Sequence, residues 1–151
     1  MKKLLLFVLV SLFAVNFAHA QFEGQSCTVR GTSSQVMIKK IDVNKRGKVS
    51  VTFTSDANER VNVVLEVKAD VKYKYYKYGK VDYITRSSSC TIAGTVDPQS
   101  GDWRNTFSDD LEIKSKIGIG GGWGSGDDEQ TVYVDDIELT SCRFKETSKC
   151  N

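Results

Sequence analysis

An all-β fold, an antiparallel β-sandwich of the jelly-roll kind in a single domain, is what this sequence predicts. Three observations carry the prediction. Apolar residues recur at every second position through several tracts, the period of strands with one buried face. Those tracts are rich in Val, Ile, Thr and Tyr and are bounded at short intervals by turn residues. No long stretch shows the 3.6-residue period of an amphipathic helix. Eight to ten short strands at this spacing suit a two-sheet sandwich.

The first element is not part of that fold. Residues 1–20, MKKLLLFVLVSLFAVNFAHA, combine a basic start at Lys2 and Lys3, an apolar run from Leu4 to Phe17, and an Ala18-His19-Ala20 cleavage site. This is the pattern of a secretory signal peptide. The expected mature domain is 21–151, secreted to the extracellular space, the periplasm or the cell surface. No later apolar run is long enough to span a bilayer, so no membrane span is expected.

Processing narrows the chemistry. His19, the sole histidine, leaves with the signal, which excludes Ser-His-Asp and Cys-His nucleophile systems. Lys2 and Lys3 leave too, so 19 of the 21 basic residues remain against 19 acidic ones. A neutral balance argues against a nucleic-acid partner, which calls for a basic excess. Four cysteines persist, Cys27, Cys90, Cys142 and Cys150. In an exported chain that even count predicts two disulfides, with three pairings open.

The strands follow in order. GKVSVTFTS sets Val49, Val51 and Phe53 on one face, and RVNVVLEVKAD does the same with Val61, Val63, Leu65 and Val67. KYKYYKYGKVDY, Lys72–Tyr83, reads as a hairpin turning at Tyr78-Gly79-Lys80. Tyr73 and Tyr75 share the face of Val71, and Lys72, Lys74, Tyr76 and Tyr78 take the other. Cross-strand tyrosine pairs with lysines guarding an edge account for this composition. A ligand face is the alternative reading. LEIKSKIGI and TVYVDDIEL continue the alternation. Between them IGIGGGWGSGDDEQ is a glycine-rich connection between two strands; the alternative is that its backbone freedom lets Trp123 close over a ligand. It is no phosphate loop, since no Gly-Lys-Ser/Thr and no helix follow. Carboxylates occur as neighbours at Asp109-Asp110, Asp127-Asp128-Glu129 and Asp135-Asp136, and no spacing selects a catalytic pair. Asp135-Asp136 interrupts an apolar strand, where a carboxylate must be paired, hydrogen-bonded or bound to a cation.

The order of these features resembles the jelly-roll carbohydrate-binding modules of the family four, nine and twenty-two type. Phe22-Glu23-Gly24 resembles their opening, and Gly47–Val67 their paired core strands. Thr91–Ser108 resembles the stretch that leads through a tryptophan, here Trp103, and Leu111–Thr140 the Gly-loop and final Asp-Asp strand. The tail SCRFKETSKCN is extra. The resemblance implies a two-sheet sandwich, with a structural calcium held by Glu23 and Asp135 or Asp136. It also implies a polysaccharide or glycan partner bound without catalysis. Tyr73, Tyr75, Tyr76, Tyr78, Tyr83 and Trp123 are the candidate sugar-stacking residues, because an aromatic face receives the C–H face of a pyranose. Trp103 matches a position more often buried. A secreted structural or adhesive protein, contacting a protein partner through the same Tyr/Lys surface, is the competing expectation. A small glycan lyase would need Tyr, Lys and Arg converging in a cleft.

Overall fold

The computed structural model describes residues 21–119 and 128–145. The expected signal peptide, Trp123 and Cys150 lie outside the described residues. The fold is all-β, with nine strands among the described residues: β1 (Ser26–Thr28), β2 (Gln35–Val43), β3 (Lys48–Ser55), β4 (Val61–Lys77), β5 (Lys80–Val96), β6 (Thr106–Asp110), β7 (Lys116–Ile119), β8 (Asp128–Thr131) and β9 (Tyr133–Phe144). The sole helical element among the described residues is a 3₁₀ turn, Asp102–Arg104. No described helix is long and apolar enough to cross a membrane.

All pairings are antiparallel. One sheet runs β1-β2-β3-β6, the other β5-β4-β9, and β7-β8 form a separate ribbon. The inner faces of the two larger sheets share one core, in which the Phe53 ring on β3 lies 6.0 Å from Phe144 on β9. The alternation expected for Val49–Phe53 and Val61–Val67 is met, since each of those apolar residues is buried. LEIKSKIGI is strand only from Lys116, although Leu111 is buried and Ile113 packs on the core.

Bulges reset the period where the sequence is not strictly alternating. On β9 the register with β4 slips twice, leaving Asp135 and Thr140 as extra residues. Val134, Ile137, Leu139, Cys142 and Phe144 thereby all face inward-pointing β4 residues despite unequal spacing. Lys39 is the extra residue in the same sense on β2.

The two sheets meet at β5 and β6. The Asp109 carboxylate accepts a hydrogen bond from the Thr91 N–H at 3.2 Å, so one of the adjacent acids serves the sheet corner. Gly94 sits against the Phe107 ring so closely that a Cβ there would lie 2.5 Å from it.

The cysteines correct the expectation of two disulfides. Cys90 and Cys142 are buried free thiols, so Cys142 is not the partner of Cys27. Val67 on β4 registers with Cys90 on β5 and with Cys142 on β9. A whole strand therefore separates them, putting their backbones about 9.5 Å apart. That exceeds the ~7 Å a disulfide can bridge. Burial, then the Asp109 and Asp110 charges, pushes the Cys90 thiol up to about 11. Burial, with Cys90 a smaller contributor, pushes Cys142 up to about 12.

Candidate functional site: an exposed tyrosine face

β4 and β5 form one long hairpin of 17 residues on each arm. β9 covers β4 only as far as Lys74, so Tyr75–Lys77 and their β5 partners project as a two-stranded finger. Its turn is Tyr78-Gly79, with φ of 52° and 75°. Two successive positive φ values are the signature of a type I′ hairpin turn, which matches the right-handed strand twist. Glycine accepts that conformation freely, whereas a bulky aromatic does not.

The finger divides its tyrosines between two faces, as the alternation predicts. Tyr73 and Tyr75 are buried. The Tyr73 hydroxyl accepts a hydrogen bond from the Lys114 N–H at 3.0 Å, and the Tyr75 hydroxyl donates to Asp82 Oδ2 at 3.0 Å. Burial, and then the Asp82 hydrogen bond, keeps the Tyr75 phenol protonated above its ordinary range. These two rings are core and offer no face to a ligand.

The opposite face is open. Tyr76, Val81, Tyr83 and Tyr133 are exposed, and Tyr78 at the tip is 93% exposed. These five and only two others, Met37 and Trp103, make up the exposed large apolar residues among those described. Such a concentration is a cluster rather than scattered surface apolarity. Lys74 registers with Tyr83 on one side and Tyr133 on the other, giving a Tyr83–Lys74–Tyr133 row across three strands. The next row pairs Tyr76 with Val81. Lys72 Nζ lies 4.5 Å from the centre of the Tyr83 ring and 3.5 Å from Asp135. It thus holds one phenol by a cation–π contact and ties the bulge of β9 to β4. Tyr133 was not among the residues singled out from sequence, because its strand offers one tyrosine and no cluster. Only the β4–β9 register reveals its neighbours.

The carboxylates have other partners. Asp135 faces Lys72, and Asp136 accepts a hydrogen bond from the Ile137 N–H at 2.9 Å. Glu23 is exposed on the opening turn, and its charge acts on Lys40. Among the described residues, no three His, Cys, Asp or Glu side chains gather to hold a metal. Glu23, Asp135 and Asp136 are therefore not gathered as such a trio. Trp103, expected to match a buried position, is 75% exposed.

Two shallow pockets lie elsewhere, one lined by Gln35, Met37 and Ser55 and one beside Trp103. No protein-family model matches the chain, and searches of curated proteins and of solved structures find no match either.

Proposed function

We propose that the protein is a secreted, non-catalytic carbohydrate-binding protein whose working surface is the outer face of β5-β4-β9 at the finger end. The observation that supports this is the Tyr83–Lys74–Tyr133 row. Its two phenols stand two strand spacings apart, about 9.5 Å, on one rigid sheet. That separation suits two pyranose rings of one chain lying across the strands. Each ring would rest its C–H face on a phenol while the lysine and the tyrosine hydroxyls take sugar oxygens. A sheet holds these groups without the ordering cost of a loop. Lys72, held over the Tyr83 ring, fixes that phenol before ligand arrives.

One observation favours a second reading. The face is exposed and rich in tyrosine, a residue enriched in protein interfaces. An adhesive role toward a protein partner uses the same residues.

Retention of the mature protein on a panel of insoluble and soluble polysaccharides decides between them. The glycan reading expects retention by one polysaccharide class. Tyr83→Ala and Tyr133→Ala should each weaken it about tenfold, or ~1.4 kcal/mol. Absence of retention across the panel sinks that reading and leaves the adhesive one.

A further inference from the structure

The far end of the β4/β5 hairpin from the tyrosine finger carries a second construction. The chain leaving β5 runs from Asp97 through the 3₁₀ turn at Asp102–Arg104 and returns at Asn105. Asn105 is the single buried polar residue among those described. Its amide closes the loop on both edges: Nδ2 donates to the Asp97 carbonyl at 2.8 Å, and Oδ1 accepts from the Asp97 N–H at 2.9 Å. The Asn105 carbonyl accepts from the Phe53 N–H of β3, which anchors the loop to the sheet. Lys39 Nζ grips Asp102 Oδ2 at 2.7 Å from the side. A loop clamped at its base, on its sheet and on its flank holds up one large aromatic, Trp103, into solvent.

That indole is one wall of a shallow pocket of about 370 Å³, lined by Arg60, Thr95, Asp97, Ser100, Trp103 and Arg104. The volume is at the low end of small-molecule sites. The Arg104 guanidinium carbon lies 4.7 Å from the centre of the Trp103 ring. Arg60 donates from Nε to Asp97 Oδ2 at 3.1 Å, and its terminal nitrogens have no partner among the described residues. Asp97 offsets one of the two cations, and its oxygens are already taken: one accepts the Gln99 N–H and the other holds Arg60. The Gln99 N–H, with Arg60 and then the Ser100 hydroxyl adding to it, holds this carboxyl below its ordinary range. The lining thus sums to two guanidinium groups against one carboxylate, a net positive charge, with an indole face and two hydroxyls whose oxygens can still accept, Thr95 donating to Asn62 at 2.7 Å and Ser100 to Asp97.

We propose that this pocket is a second ligand site, specific for a pyranose bearing an anionic group, a carboxylate or a sulfate. The indole of Trp103 receives the sugar ring, Arg104 and Arg60 receive the anion, and the hydroxyls of Thr95 and Ser100 receive ring hydroxyls. Guanidinium forks suit planar carboxylate and sulfate oxygens better than an ammonium does. Exposing a tryptophan on so rigid a loop leaves little ordering to do on binding. The site shares no residue with the tyrosine face, so it stands whether or not that face binds glycan.

The test is calorimetric titration of the mature protein with three oligosaccharides of equal length: an oligogalacturonate, a sulfated galactan fragment and a neutral cello-oligosaccharide. In a Tyr83→Ala/Tyr133→Ala background, which removes the tyrosine face, binding of either charged ligand, weakened at higher salt and absent for the neutral one, is expected. Retention of the uronate or of the sulfated arm names the anion. Trp103→Ala and Arg104→Gln should each weaken binding at least tenfold. Lys68→Gln should leave it within twofold, which separates this site from general charge attraction. Trp103 is exposed, so its removal leaves the fold intact, as circular dichroism would verify. Absence of binding by both charged ligands overturns the proposal. So does binding that survives Trp103→Ala and Arg104→Gln unchanged.

Discussion

Tyr78 stands in a backbone conformation that an asparagine or glycine would adopt at less cost. With a φ of 52° and nearly complete exposure, it has only the Lys77 ammonium, 5.7 Å from its ring centre, to offset the strain. Tyr78→Asn should therefore stabilise the protein by about 0.5–1 kcal/mol in urea denaturation. If ligand retention falls in the same variant, the strained tip ring belongs to the binding surface. Cys90 and Cys142 supply a second residue-scale prediction. Both thiols are held protonated by burial, so native protein should resist alkylation at neutral pH and react at both sites once unfolded. Their raised folded values make the native state hold more protons than the unfolded chain above about pH 9. The stability they contribute is whole below that pH and declines as pH rises through 11 to 12. Denaturation midpoints from pH 8 to 11 should fall more steeply for the wild type than for the Cys90→Ala/Cys142→Ala double variant.

At the scale of elements, the β5–β6 corner is the tightest contact. Gly94→Ala must displace the Phe107 ring, which also packs on Phe53 at 6.1 Å. A loss of about 1–3 kcal/mol is expected from such overpacking, read as a shift in urea midpoint at constant slope. The strand tracts and most turns were legible in the sequence because alternation and turn chemistry are local. Val49–Phe53, Val61–Val67 and the Tyr78-Gly79 turn are the clearest instances. The bulges were not legible. An extra residue such as Asp135 is stabilised by its partner strand, through Lys72, and nothing local announces it. Tyr73 and Tyr75 are buried because they share the Val71 face, so the sugar-stacking expectation does not extend to them. The exposure of Trp103 belongs to a loop held by the Asn105 amide, a tertiary contact that no local pattern announces. The expectation of two disulfides fails at Cys90 and Cys142, because evenness of count says nothing of the strand that separates two thiols.

At the scale of the molecule, the two proposed sites lie at opposite ends of the same long hairpin. One end is a row of tyrosines and lysines, and the other a loop with a tryptophan and two arginines. The most direct test of the central claim, that the outer face of β5-β4-β9 binds glycan, is an amide chemical-shift map. ¹⁵N-labelled mature protein would be titrated with the polysaccharide class that retains it, supplied as soluble neutral oligosaccharide. Perturbations centred on Lys72–Lys77, Lys80–Thr85 and Val132–Asp136 are the predicted result. Perturbations confined to other surfaces, or none at saturating ligand, would contradict the claim.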